Sequence, residues 1–246
     1  MINSIDNQLW WTLAVFAAFL LDWAAVASDW KKIKPFAKVL AIVTVIIWTM
    51  AAAGWRFEVL LMMLLIAQSF GLDGDVFLLF ADRYFLQGLA AFLMGHLLYI
   101  SLLVIRISQL MPPEVGMIDH LRPYTFSLII WMCILIVFYS VFNVLPKRKL
   151  VKPAMWYAIQ IYGWVLSGFV ALTLFTAMVF GQISNVIWFL PLGAFLFLIS
   201  DSLLAYDRFI KPIWSGQLWV HITYHCAQFC LALGFVTFLS ASAISI

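Results

Sequence analysis

Eight apolar runs, each about 20 residues long, follow one another along almost the whole sequence. A helix of that length crosses the hydrocarbon core of a bilayer and satisfies its backbone polar groups within the span. The runs do not alternate in the way that the strands of a membrane barrel do. The sequence therefore predicts an all-α polytopic membrane protein with eight transmembrane helices, at residues 9–28, 36–54, 57–80, 84–107, 123–145, 154–180, 185–206 and 214–240.

The composition excludes the other classes of protein. Of the 246 residues, 66% are hydrophobic and 10% are charged, whereas a soluble domain has roughly 45–50% apolar and about 25% charged residues. A soluble globule of this composition would aggregate, and a disordered chain carries far less apolar surface. Eight spans leave no room for a separate soluble domain, so we expect a single membrane domain over residues 1–246.

Basic residues predict the orientation of the helices. Eleven of the 14 Lys and Arg residues lie in or beside the loops after the first, third, fifth and seventh spans. Because such residues concentrate on the cytoplasmic side, these odd loops are expected in the cytoplasm and both termini outside. The expected location is a bacterial inner (cytoplasmic) membrane. Topology and contact with membrane lipid account for the net charge of +3, so no nucleic-acid partner is expected.

The two halves of the chain, 1–110 and 120–246, share a series of motifs. Each half has a Lys-Pro pair, then an acidic residue near the end of a span, then Asp-Arg, then a span with polar aromatic residues. The two acids are Asp75 and Asp201. The pattern predicts a parallel internal repeat of four helices, whose pseudo-two-fold axis would bring the two acids together.

Acidic residues within membrane spans are costly and face the interior of the bundle. The candidates are Asp22, Asp73, Asp75 and Asp201. Asp75 ranks above Asp73 because it shares a helix face with Gln68 and Gly71, and Asp22 ranks last because it has no counterpart in the other half. The alternative is a structural role, with Asp75 and Asp201 paired to Arg83 and Arg208.

Two carboxylic acids in a cleft of low dielectric constant do not both ionise easily. One then holds a proton while the other remains a carboxylate, an arrangement that suits general acid catalysis. The sequence does not assign the proton to either residue, because coupled acids titrate as a pair.

Other polar side chains within the spans are less specific. His221 and His225 are four residues apart, which permits zinc binding, but no third ligand is evident, so hydrogen bonding between helices is favoured. No metal and no cofactor are expected, although a haem-binding role for His96 and His225 is an alternative. Tyr157, Tyr224 and Gln228 could bond a lipid headgroup or a neighbouring helix equally well.

Several segments resemble those of a known family, the YhhN-like lysoplasmalogenases. The resemblance runs from about residue 34 to residue 234 and includes both acidic motifs in order. The segments are KP at 34–35, QSFGLDGDVFLL at 68–79, FLQGLAAF at 85–92, GHLLY at 95–99, GAFLFLISDSLLA at 193–205 and TYHCAQ at 223–228.

The resemblance implies an integral membrane hydrolase of eight helices. Such an enzyme cleaves the vinyl ether bond of a lysoplasmalogen, lysoplasmenylethanolamine or lysoplasmenylcholine. The products are a fatty aldehyde and glycerophosphoethanolamine or glycerophosphocholine. The resemblance makes Asp75 and Asp201 the catalytic pair, and the residues expected to bind this single-chain lysophospholipid are Lys34, His96, Tyr99, Tyr157, Tyr224 and Gln228. The alternative is a transporter or lipid scramblase with the acids as proton relays.

Overall fold

The computed structural model describes residues 2–110, 117–144 and 153–241, and these ranges contain helices and no strand. A short 3₁₀ helix at Asn185–Trp188 precedes the seventh α-helix. The α-helices are α1 (Ile2–Ala27), α2 (Lys34–Ala52), α3 (Val59–Leu78), α4 (Ala81–Leu110), α5 (Met117–Val144), α6 (Pro153–Phe180), α7 (Phe189–Phe209) and α8 (Gly216–Ser240).

Seven of the helices are long and apolar enough to cross a membrane, and α5 has a shorter apolar part at Tyr124–Ser140 within the described ranges. Large apolar side chains such as Trp10, Phe36 and Trp214 are exposed on the bundle. These properties confirm a polytopic helical membrane protein. The boundaries agree with the predicted spans to within a few residues, with two exceptions. The first helix, α1, begins at Ile2 rather than at residue 9, and α5 begins at Met117 rather than at residue 123, because the polar first turns of both helices carry little hydropathy signal.

The short connection implied by the predicted spans at 57–80 and 84–107 is part of a helix. Residues 81–83 are helical, and Tyr84 has φ −119° and ψ 20°, which kinks α4 at this point. The kink coincides with the predicted start of the span at residue 84. A membrane-spanning helix and a short preceding turn are thus joined without a loop.

Glycines allow α7 and α8 to approach closely. A methyl group added at Gly193 would lie 2.8 Å from the backbone nitrogen of Leu231 and 2.9 Å from the carbonyl oxygen of Ala227. A methyl group added at Gly234 on α8 would likewise lie 2.8 Å from the backbone nitrogen of Leu190 on α7. Small residues of this kind are common where membrane helices pack backbone to backbone. This contact fixes α8 against the helix that carries Asp201.

We expect Gly193→Ala to lower the free energy of unfolding by about 1–3 kcal/mol, because the new methyl meets backbone atoms that cannot move independently. Unfolding in mixed detergent micelles measures the change. Gly168→Ala on α6 is the matched control, since its added methyl would be 3.8 Å from the nearest atom, Trp131 Nε1. Equal losses in the two variants would contradict a close contact between α7 and α8.

Candidate active site

A cavity of about 450 Å³ lies where the C-terminal ends of α3 and α7 meet the N-terminal ends of α2 and α8. Both predicted acids, Asp75 and Asp201, line this cavity. Asp75 lies on α3 and Asp201 on α7, so the two acids come from distant parts of the sequence. The same cavity is also lined by four basic residues, Lys31, Lys34, Lys38 and Arg208.

Asp75 is held from two sides. Its side chain is buried, and Lys38 Nζ on α2 lies 3.0 Å from Oδ1. The hydroxyl of Tyr224 on α8 donates a hydrogen bond to Oδ2 at 2.7 Å, and Gln228 Nε2 donates to that hydroxyl oxygen at 3.0 Å. The ion pair is with Lys38, not with Arg83, the partner considered from the sequence. Three helices therefore converge on one carboxyl group.

Asp201 has a different partner. The hydroxyl of Tyr162 on α6 donates a hydrogen bond to its Oδ2. The neighbouring residue Ser200 also lines the cavity, and its hydroxyl donates to the carbonyl oxygen of Val220 at 3.1 Å. Asp75 thus faces an ammonium group and a hydroxyl, whereas Asp201 accepts from an uncharged hydroxyl.

Small residues on α3 make the convergence possible. A methyl group added at Gly74 would lie 2.7 Å from the ring of Phe92 on α4, and one added at Gly71 would lie 3.2 Å from Gln228 Nε2 on α8. Gln68, Gly71 and Asp75 are buried together and Asp73 is exposed, so the predicted face of α3 is confirmed. The two glycines let α4 and α8 pack close enough for Tyr224 to reach Asp75.

A narrow apolar groove of about 40 Å³ adjoins the polar cavity. The two spaces share Asp201 and four apolar residues, which are Leu78, Phe85, Phe92 and Leu204. From there the groove is bounded by Leu89 on α4, Ile159 on α6 and Ala205 on α7. Asp201 thus stands where a polar space meets an apolar one.

Lys34 lies at the outer part of the cavity. Its Nζ donates a hydrogen bond to Gln217 Oε1 at 2.9 Å and lies 3.7 Å from Asp29 Oδ1. Lys38 follows one helical turn later on the same face of α2 and reaches deeper, to Asp75. The two lysines therefore form a line of positive charge from the rim to the acid.

The other residues predicted to bind substrate lie at different depths. Tyr224 lines the cavity, and Gln228 is buried behind it. His96 donates from Nδ1 to the carbonyl oxygen of Phe92 at 2.8 Å and packs edge-on against Phe197, while Tyr99 stacks on Phe169 and Phe235 in the core. Tyr157 is 66% exposed on the outer surface of α6 and does not line the cavity.

Sequence reasoning missed three residues of the site: Lys38, Tyr162 and His221. The sequence indicates only a topological role for Lys38, although its spacing of four residues from Lys34 places both on one helix face. Tyr162 is a tyrosine in the middle of an apolar span, and nothing in the sequence links it to an acid 39 residues away. His221 lines the cavity beside Tyr224, and their spacing of three residues, which places both on one face of α8, is the signal that could have indicated it.

A second polar cluster borders the cavity. His221 Nδ1 lies 2.6 Å from Asp22 Oδ2, and His225 Nδ1 lies 3.8 Å from the same oxygen. Trp23 Nε1 donates to His225 Nδ1 at 3.1 Å. The sequence shows no third ligand beside the two histidines and ranks Asp22 last among the intramembrane acids. In the structure Asp22 occupies the position of that third ligand.

Residues 33–235 match the family model described as the YhhN family. The chain belongs to the YhhN family. The matched range contains all the cavity-lining residues except Asp29 and Lys31, which precede it. Helix α1 also lies outside the matched range. Comparison of this YhhN-family protein with curated proteins and with solved structures gives no match. Family membership is compatible with a membrane hydrolase.

Proposed function

We propose that this YhhN-family protein hydrolyses the vinyl ether bond of a lysoplasmalogen, lysoplasmenylethanolamine or lysoplasmenylcholine. The observation that carries the proposal is that Asp75 and Asp201 line one cavity with unlike partners. Enzymes whose reactions pass through an oxocarbenium ion use a pair of carboxyl groups, one protonated as the general acid and the other ionised as a carboxylate.

The reaction begins with a proton transfer to carbon. The acid proton moves to the double-bond carbon that is not bonded to oxygen. The other double-bond carbon, which carries the ether oxygen, then becomes the centre of an oxocarbenium ion. Water adds to that carbon and its proton returns to the carboxylate pair. The resulting hemiacetal collapses to a fatty aldehyde and a free glycerol hydroxyl, so the net change is the addition of one water molecule. The reaction requires no cofactor.

The partners of the two acids support an assignment of their roles. The ammonium of Lys38 and the hydroxyl of Tyr224 both donate to Asp75 and need an acceptor, so Asp75 acts as the carboxylate that faces the cation and orients water. Asp201, held by the uncharged hydroxyl of Tyr162, carries the proton as general acid. Tyr224 and Gln228 act as positioning residues for Asp75.

The shape and charge of the site support a single-chain amphiphile as substrate. Lys34 and its basic neighbours suit a phosphate-bearing headgroup in the polar cavity. The first carbons of the alkenyl chain occupy the apolar groove, and the remainder of the chain leaves between helices into lipid. The vinyl ether bond then lies beside Asp201, where the two spaces meet.

The remaining predicted residues act at a distance from the reacting atoms. His96 packs against the ring of Tyr162, with centroids 5.7 Å apart, and Tyr99 packs beside His96, so both support the helix face that holds Tyr162. Exposed Tyr157 contacts lipid at the membrane interface. We propose that the cavity, which lies on the side of the odd loops, faces the cytoplasm of a bacterial cell.

Product analysis by mass spectrometry tests the proposal. Purified protein incubated with lysoplasmenylcholine should release a fatty aldehyde and glycerophosphocholine. The matched control is the saturated alkyl ether of the same chain length, which should remain intact because it has no double bond to protonate. Unchanged lysoplasmenylcholine would contradict hydrolysis, and its movement across a vesicle membrane would favour the transport alternative.

A further inference from the structure

We infer that Asp22, His221 and His225 form a binding site for a divalent transition-metal ion, for which Zn²⁺ is the probe. The site is separate from the acid pair, and the inference does not depend on the proposed hydrolysis. Within the described part of the chain these three residues form the cluster whose potential ligand atoms all lie within 4.8 Å of one another. Two imidazoles and one carboxylate are a ligand set that zinc and iron use.

The burial of the cluster requires a counter-charge. Asp22 and His225 have 0% of their surface exposed. A buried carboxylate is costly unless a cation compensates it. The ion pairs of Asp22 found among the described residues are with the two histidines, which are charged only when protonated. A divalent cation held by one carboxylate and two neutral imidazoles supplies the missing charge.

A buried oxygen of the cluster also lacks a partner. Asp22 Oδ1, the second oxygen of the proposed ligand carboxylate, has no hydrogen-bond partner among the residues that the structure describes. Buried polar atoms are nearly always bonded, so such an atom requires an explanation, and a bound ion is one of the standard explanations. The hydrogen bonds from His221 and Trp23 satisfy only part of the polar capacity of the cluster.

The distances are within reach of zinc coordination. Zinc bonds of about 2.0–2.2 Å imply roughly 3.3–3.5 Å between neighbouring ligand atoms in a tetrahedron. The Asp22 Oδ2 distances of 2.6 Å to His221 and 3.8 Å to His225 lie on either side of that value. Shifts of about an ångström would therefore convert the hydrogen-bonded cluster into a coordinated one.

The cluster also has an entry path. His221 lines the 450 Å³ cavity, so an ion can arrive from the aqueous end of the bundle and keep water in its remaining positions. Three protein ligands with an open position are typical of zinc sites that bind water or a ligand. Two of the ligands are on α8, four residues apart on one face, and the third comes from α1, outside the range matched by the family model.

Metal binding to untagged, chelator-treated protein tests the inference. Isothermal titration with Zn²⁺ should give one site per chain, and Co²⁺ bound at that site should give visible absorption bands. Asp22→Asn and His225→Ala should each weaken Zn²⁺ binding by at least about 100-fold, since even outer partners of a metal ligand are worth about 10–100-fold in affinity. His96→Ala, another buried histidine, is the control and should bind normally.

Trp23→Phe provides a second test that does not remove a ligand. It deletes the indole N–H that competes for His225 Nδ1, so Zn²⁺ should bind as tightly as to the wild type or more tightly. The wild-type titration stands even where a variant fails to fold. Absence of stoichiometric binding by the wild type, or normal binding by both ligand variants, would overturn the inference and leave the cluster as a hydrogen-bond network.

Discussion

Asp201→Asn should reduce aldehyde release from lysoplasmenylcholine by about 10²–10⁴-fold, the usual contribution of a general acid. The amide fills the same volume and can still accept the hydrogen bond from Tyr162, so the cavity should keep its shape. It cannot deliver a proton to carbon, and the oxocarbenium ion then does not form. The initial rate of aldehyde formation at saturating substrate measures the loss.

Asp73→Asn is the matched control for this prediction. Asp73 is two residues from Asp75 on the same helix, but it is exposed and does not line the cavity. Its replacement makes the same chemical change at the same depth and should leave the rate at the wild-type level. A normal rate for Asp201→Asn, or an equal loss in the two variants, would remove Asp201 from the mechanism.

Lys38→Met should lower the free energy of unfolding by about 3–5 kcal/mol, the typical result of deleting one partner of a buried ion pair. Lys38 and Asp75 side chains are 12% and 2% exposed, and their closest atoms are 3.0 Å apart. Methionine fills a similar volume but leaves the Asp75 carboxylate without its cation. Unfolding in mixed micelles measures the change.

Two companion variants separate this effect from a general loss of packing. In Lys38→Met/Asp75→Asn no buried charge remains uncompensated, so part of the stability should return. Arg56→Met breaks an exposed pair with Glu58, whose atoms are 3.3 Å apart, and should cost less than about 1 kcal/mol. A double variant less stable than Lys38→Met would contradict the ion pair.

The helical architecture could be predicted from the sequence because lipid leaves few alternatives. Apolar runs long enough to cross a bilayer must be helices, and the observed helices match the predicted spans apart from the polar starts of α1 and α5. The buried face of α3 was also predictable, since helical periodicity alone separates Asp75 from Asp73.

The contacts of the site could not be predicted in the same way. The pairing of Asp75 with Lys38 and Tyr224, and of Asp201 with Tyr162, depends on how helices far apart in sequence rotate against one another. Periodicity assigns a face to each residue but not the neighbour that this face meets. For the same reason Asp22 gave no sign of its position beside His221, which is 199 residues away.

The most direct test of the acid pair is aldehyde release from lysoplasmenylcholine by the wild type, by Asp75→Asn, by Asp201→Asn and by the double variant. When two groups act as one catalytic unit, the effects of substituting them on the rate are strongly non-additive. The proposed mechanism predicts that each single variant loses most of the activity and that the double variant is no slower than the slower single one. Wild-type rates in both single variants would contradict it.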